Sequence, residues 1–265
     1  MRISGRSALV TGATGGLGEA ICRALAQRGA RIVMSGRRPE ALEPLARELG
    51  AVVMVGDLAE RADLDSLLAR AGDVDILVAN AGVPADGAID EYTPEQIDRA
   101  LAINLRAPIQ MARALMPGMV ERASGHLVFM SSLSGKAATS GSALYSATKF
   151  GLRGFASGLR QDLWQTGVGV SAIFPGPIRE AGMFAQAGVE MPAFASTRSP
   201  QQVGRAVVRA IERDRAEIDV ASLPLRWACA LAGVAPSPIA ALNRRLGAAQ
   251  IAEQLARSEA HRSRR

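Results

Sequence analysis

At 265 residues, with 48% hydrophobic and 21% charged side chains, the chain suits one α/β domain and is excluded from the disordered and disulfide-stapled classes. The formal charge of +6 sits mostly at one end: residues 226–265 hold seven arginines and two glutamates, giving +5 and leaving +1 for the preceding 225 residues. With aromatic content at 4% and no interleaving of basic and aromatic residues, the basic balance does not argue for nucleic acid. The two cysteines, Cys22 and Cys229, form no framework and agree with a reducing compartment, so a cytoplasmic location is expected. The first residues, MetArgIleSerGlyArg, lack an apolar core for export, and no apolar run approaches the ~20 residues of a spanning helix. No metal site is expected.

In chain order, a short run that turns apolar, Ser7–Val10, leads into ThrGlyAlaThrGlyGlyLeuGly at 11–18. A helical pattern follows from Glu19 to Gln27, with Ile21, Cys22, Leu25 and Ala26 apolar, and Cys22 falls on its core face. Strand, glycine loop and helix in this order let a backbone approach a pyrophosphate, whose charge meets the free N–H groups of the helix start. The spacing is Gly12, three residues, Gly16, one residue, Gly18, which differs from the common G-x-G-x-x-G form. Taken alone it fits a tight ligand-free turn as well. The second strand is Arg31–Ser35. An acidic residue about 20 positions past such a loop takes the ribose hydroxyl of NAD, whereas arginine there suits the 2′-phosphate of NADP. Here Gly36 is followed by Arg37 and Arg38, and no carboxylate appears before Glu40, so NADP(H) is expected over NAD(H). Two solvated loop arginines are the competing reading.

Strands are expected at Val52–Val55, Ile76–Ala79, His126–Ser131, Val168–Phe174 and Glu217–Ala221. ThrProGluGln at 93–96 reads as a helix start, and that helix should run to about Glu121 with a break at Pro108. Strands alternating with helices predict a parallel sheet covered on both faces, with ligand at the carboxyl ends of its strands. Tyr145 and Lys149 stand four apart, so on a helix they share one face. A free phenol titrates near pH ~10 and works poorly as an acid–base group at neutral pH; a neighbouring cation favours its phenolate. The pair is thus a candidate proton donor and acceptor, with Ser132 thirteen residues earlier to hold a reacting oxygen. On spacing alone such a pair is more often a surface contact. Between Arg179 and Ser199, Met183, Phe184, Met191, Pro192 and Phe194 would give either an apolar substrate surface or an ordinary helix–loop packed on the core. Beyond residue 223, Trp227, Leu231, Arg244 and Arg245 would suit interfacial helices, apolar on one side and basic on the other, interrupted by Pro236 and Pro238. That pattern allows peripheral attachment to an anionic membrane, or packing on the body or on a partner subunit.

Together the glycine loop Thr11–Gly18, AspLeu 57–58, AsnAlaGly 80–82, Asn104 in IleAsnLeu, Ser132, Tyr145-x-x-x-Lys149 and ProGly 175–176 resemble the short-chain dehydrogenase/reductase family over roughly residues 5–223. The resemblance implies an α/β fold with a single doubly wound parallel sheet of Rossmann type, about seven strands, in a domain spanning 1–223. Residues 224–265 would form a basic, partly amphipathic extension. It implies Tyr145 as general acid or base, and Lys149 tuning the tyrosine and bonding the nicotinamide ribose. Ser132, favoured over Ser131 by family spacing, would orient the substrate oxygen, and Asn104 would support a water relay. Cofactor contacts would come from Gly12, Thr14, Gly16, Leu17, Gly18, Arg37 and Arg38, from Asp57 and Leu58 at the adenine, from Asn80, Ala81 and Gly82, and from Pro175, Gly176 and Ile178 at the nicotinamide. By their turn habits Asp57 could simply end a strand, and Asn80 could brace neighbouring strands. Two positions depart from the family pattern: Ala79 stands where a first asparagine is common, and Arg179–Glu180 replaces a region that usually supplies a threonine to the carboxamide. The expected activity is NADP-dependent interconversion of a secondary alcohol and a ketone or aldehyde, with a small apolar substrate, in a homodimer or homotetramer. The rivals are a carrier-linked 3-oxoacyl ketoreductase and a non-catalytic NADP-binding regulator or scaffold.

Overall fold

The computed structural model describes residues 1–179, 196–235 and 237–238. Seven strands form one sheet: β1 (Ser7–Thr11), β2 (Arg31–Gly36), β3 (Val52–Val55), β4 (Ile76–Ala79), β5 (Gly125–Met130), β6 (Val168–Pro175) and β7 (Glu217–Val220). Their spatial order is β3-β2-β1-β4-β5-β6-β7, and every pair is parallel. The helices are α1 (Gly16–Ala26), α2 (Pro39–Leu49), α3 (Arg61–Ala71), α4 (Pro94–Leu101), α5 (Ala107–Glu121), α6 (Ala143–Asp162), α7 (Pro200–Arg213) and α8 (Leu223–Val234). Each expected strand lies within a residue or so of its observed bounds.

Central strands buried on both faces read as unbroken apolar runs. Successive residues therefore serve opposite cores. Ala8 and Val10 pack with Ile21 and Leu25 of α1 and Val203 and Val207 of α7, whereas Leu9 packs with Leu64 of α3, Met111 of α5 and Leu152 of α6. The same alternation separates Ile76 and Val78 from Leu77 and Ala79. Burial of these apolar faces on either side of the sheet is what fixes the three-layer arrangement.

The helix starts follow local chemistry. Thr93 caps α4 in a reciprocal box: its hydroxyl accepts from Gln96 N–H at 3.3 Å, and Gln96 Oε1 accepts from Thr93 N–H at 2.9 Å, with Pro94 at the first helical position. Ser199 and Gln202 repeat the device at α7. The long helix expected from residue 93 is interrupted by one wide π turn, Ala102–Arg106. Pro108 itself sits in the first turn of α5, so the break lies before the proline rather than at it. The reason is that Pro108 has no N–H to give the Asn104 carbonyl four residues back. The ladder instead widens, with Ala107 N–H donating to Ala102 O.

Chain order reverses beside β1, where one crossover leads to β2 and a later one to β4. The carboxyl ends of these strands leave a crevice, and the loops after β1, β2, β3, β4, β5 and β6 all open into it.

Candidate active site

The loop after β1 is shaped by close approach. Gly12 has φ +65°, and a Cβ there would stand 2.8 Å from the Ala81 Cα. A side chain at Gly18 would run into the Gly12 carbonyl, so only glycine lets α1 begin against the loop. Thr11, fully buried at the end of β1, accepts from the N–H groups of Asn80 and Ala81 at 3.1 Å each. Asn80 Nδ2 donates to Thr11 O (2.9 Å) and Gly12 O (3.2 Å). Asn80 thus braces two loops, the strand-bracing alternative raised by its sequence, while also lining the crevice. Ala79, at the position of the missing first asparagine, is buried in the core.

On the β2–β3 side, Arg37 and Arg38 follow the strand and line the crevice, as do Asp57 and Leu58. Asp57 accepts from Arg99 of α4 at 2.7 Å and from Ala59 N–H at 3.0 Å, and Arg37 comes within 3.9 Å. Burial acts to raise the Asp57 pKa, but the Arg99 hydrogen bond, the Ala59 N–H and the charges of Arg99 and Arg37 outweigh it and hold the carboxyl below its usual range. Ser35, 1% exposed at the end of β2, keeps its hydroxyl without a partner among the described residues. A glycine-lined backbone cradle flanked by two arginines and a buried unspent hydroxyl fits a phosphorylated nucleotide.

The tyrosine–lysine pair stands on α6. Tyr145 and Lys149 line the same crevice, with the ammonium 5.4 Å from the phenol ring centroid. Lys149 is buried and donates to Met130 O at 3.0 Å. Burial lowers its pKa to about 8, which leaves it mainly protonated at neutral pH. The two serines after β5 divide their roles. Ser131 is buried and its hydroxyl donates to the Lys149 carbonyl at 3.0 Å, pinning α6 to the sheet. Ser132 lines the crevice, and among the described residues its hydroxyl accepts only the local Ser134 N–H, at 3.2 Å. Asn104 lies behind the crevice, fully buried: its Nδ2 donates to Val83 O (2.9 Å) and its Oδ1 accepts from Val83 N–H (2.8 Å).

The crevice encloses about 480 Å³. Every expected cofactor and catalytic residue lines it except Asn104, which holds the loop carrying Val83 from below. Pro175, Gly176 and Ile178 close the far end, where Ile178 and Arg198 pair in a short parallel bridge. That bridge joins both stems of segment 180–195. Glu180, Met183, Phe184, Met191, Pro192 and Phe194 lie outside the described residues, as do Arg244 and Arg245. Sequence reasoning did not single out Arg99, Ser35, Thr139 or Asp86, all of which bear on the crevice. Arg99 carries no local signal, because its partner is forty-two positions away.

Among the described residues no helix is long and apolar enough to cross a membrane, and no group of three His, Cys, Asp or Glu is placed to hold a metal ion.

Fold and crevice define a Rossmann-type nucleotide-binding protein with a tyrosine–lysine pair lining its cleft. The sequence pattern of the short chain dehydrogenases matches residues 6–191, and the chain belongs to this family of oxidoreductases. It is 33% identical over 232 residues to the ketoacyl reductase HetN of Nostoc sp., covering 84% of this chain and 81% of that one. Among solved structures it resembles a short-chain dehydrogenase from Sphingobium yanoikuyae in complex with NADPH (TM-score 0.75, 27% identity, 88% of this chain and 94% of that one). It also resembles the 3-ketoacyl-(acyl-carrier-protein) reductase of Brucella melitensis complexed with NADH (TM-score 0.74, 25% identity, 82% and 97%).

Proposed function

We propose that the protein is an NADP-dependent oxidoreductase that interconverts a secondary alcohol and a ketone or aldehyde. The observation that carries this reading is the placement of Tyr145 and Lys149 on one face of α6, lining the crevice that the glycine loop opens. The bound nicotinamide supplies or accepts the hydride. Tyr145 gives its phenolic proton to the carbonyl oxygen in reduction and takes it back in oxidation. The Lys149 ammonium favours the phenolate and bonds the nicotinamide ribose. Ser132, whose hydroxyl donates to no group among the described residues, holds the substrate oxygen beside the phenol. Asn104 keeps the Val83 loop in place and supports a relay water beside the lysine.

Arg37 and Arg38 support NADP(H) over NAD(H), and the Sphingobium neighbour holds NADPH. The substrate is read as a small carbonyl compound. A 3-oxoacyl group is the second reading, favoured by the names of the Nostoc and Brucella relatives. Residues 1–223 are proposed as the catalytic unit and 224–265 as an appendage. Since family members are typically oligomeric, a homodimer or homotetramer is proposed. A cytoplasmic protein with peripheral membrane contact is also proposed: α8 exposes Leu223, Trp227, Leu231 and Val234, and a basic segment follows it.

The test is oxidation of NADPH by the purified protein against a panel of ketones, aldehydes and acyl thioester carbonyls. Turnover with NADPH is expected to exceed that with NADH at equal low concentration, and Arg37→Ala with Arg38→Ala should erase that preference. Tyr145→Phe should lower kcat by about a thousandfold while NADPH binding persists; normal turnover in that variant would remove the mechanism, and a wild-type protein that binds NADPH but turns over no member of the panel would leave a nucleotide-binding regulator.

A further inference from the structure

The crevice contains one carboxyl that the proposed chemistry does not use. Asp86 sits in the loop after β4 and lines the crevice, as do Ser132, Ser134, Thr139 and Tyr145. Its backbone is held in place from both sides. Ala85 O accepts the N–H of Tyr145 at 3.2 Å, and Gly87 N–H donates to Gly141 O at 2.6 Å. The loop bearing Asp86 is therefore tied to the first turn of the helix that carries the acid–base group, one residue from the carboxyl.

The side chain itself has no hydrogen bond or ion pair among the described residues. The titratable groups around this loop are Tyr145 and Lys149 of α6, which line the same crevice, and Glu91 and Tyr92, which lie against Gly87. None of them shifts the carboxyl. Burial alone raises its pKa to about 6. Asp86 is half-buried, and with no donor from the described residues its charge is left to whatever enters the crevice. The side that remains open to a donor is the crevice.

We propose that Asp86 is a specificity-determining residue: its carboxylate accepts a hydrogen bond from a substrate that carries an uncharged hydroxyl or amide N–H donor near the reacting carbonyl, and it repels substrates that carry a carboxylate there. This rests on the carbonyl-reductase reading above and narrows it. The substrate is then polar at the end away from the nicotinamide, in place of the wholly apolar compound expected from the sequence.

Three near-isosteric probes separate the cases: acetoacetamide offers an N–H donor, methyl acetoacetate offers none, and acetoacetate is an anion. With wild-type protein at pH 8, kcat/KM is expected to fall in that order, the amide exceeding the ester by about tenfold, as suits one hydrogen bond to a charged group. In Asp86→Ala the amide-to-ester ratio should collapse toward one. In Asp86→Asn the acetoacetate-to-ester ratio should rise at least fivefold. In wild type that same ratio should rise as pH falls through about 6, where Asp86 takes up a proton; in Asp86→Asn it should stay flat. A merely structural role would lower all three probes by one factor and leave the ratios and their pH dependence unchanged, which would overturn the assignment of Asp86 alone. Absence of turnover of any probe by wild type, with NADPH binding demonstrated, would overturn the carbonyl-reductase reading and this inference with it.

Discussion

Lys149, to which the proposed mechanism gives a role, is held at a cost to the fold. Its ammonium is buried, bonded to one backbone carbonyl, and carries a pKa lowered to about 8. Because the unfolded chain holds this proton more tightly, its contribution to stability is a cost. The cost is present in full below pH 8 and fades as pH rises toward the unfolded value of ~10.4. Lys149→Met should therefore abolish turnover yet stabilise the fold at pH 7 by about 2 kcal/mol, after allowing for the Met130 carbonyl left without a donor. Denaturant melts at pH 7 and pH 10 check this; a variant no more stable than wild type at pH 7 would contradict it. The serines make the complementary point. Ser131 and Ser132 are chemically identical neighbours just past β5, and the extended backbone there sends one hydroxyl to the Lys149 carbonyl and leaves the other lining the crevice.

At the scale of elements, the segment from α4 to α5 is the most informative. Regular α-helix through residues 102–106 would leave Asn104 O facing a proline nitrogen, so the chain takes a π turn instead. The turn sets the height of the Asn104 amide, which meets Val83 with both its donor and its acceptor. Pro108→Ala restores the missing N–H and removes the reason for the wide turn. The variant should melt at the same temperature or higher while kcat falls by about tenfold to a hundredfold, the scale of a positional error near 1 Å. Unchanged kcat would show that the π turn is incidental. The break is legible as a proline in the sequence, but its position is not, because the proline acts on the carbonyl four residues before it.

For the molecule as a whole, α8 is the unusual feature. Eleven of its twelve residues are uncharged, yet Trp227 is 69% exposed and Val234 is 85% exposed. Helices apolar on every side are normally covered. Vesicle co-sedimentation is expected to retain the full chain on anionic bilayers and much less on neutral ones, and Trp227→Asp with Leu231→Asp should release it without loss of NADPH binding. Equal sedimentation of both proteins would end the membrane reading, and a change of subunit number in the variant would point to a second copy as the cover.

Seven strands, the glycine loop and the Tyr–Lys spacing were legible because each depends on neighbours within a few positions. Apolar runs report burial on both faces, Gly12 and Gly18 report a backbone approach, and a separation of four reports one helical face. Asp86, Arg99 and the division between Ser131 and Ser132 were settled only in three dimensions. Arg99 meets Asp57 because α4 crosses the end of β3, and Asp86 matters because the loop after β4 folds against α6. A carboxylate in a sequence looks solvated. Only the packing around it decides whether water, an arginine or the substrate is left to meet its charge.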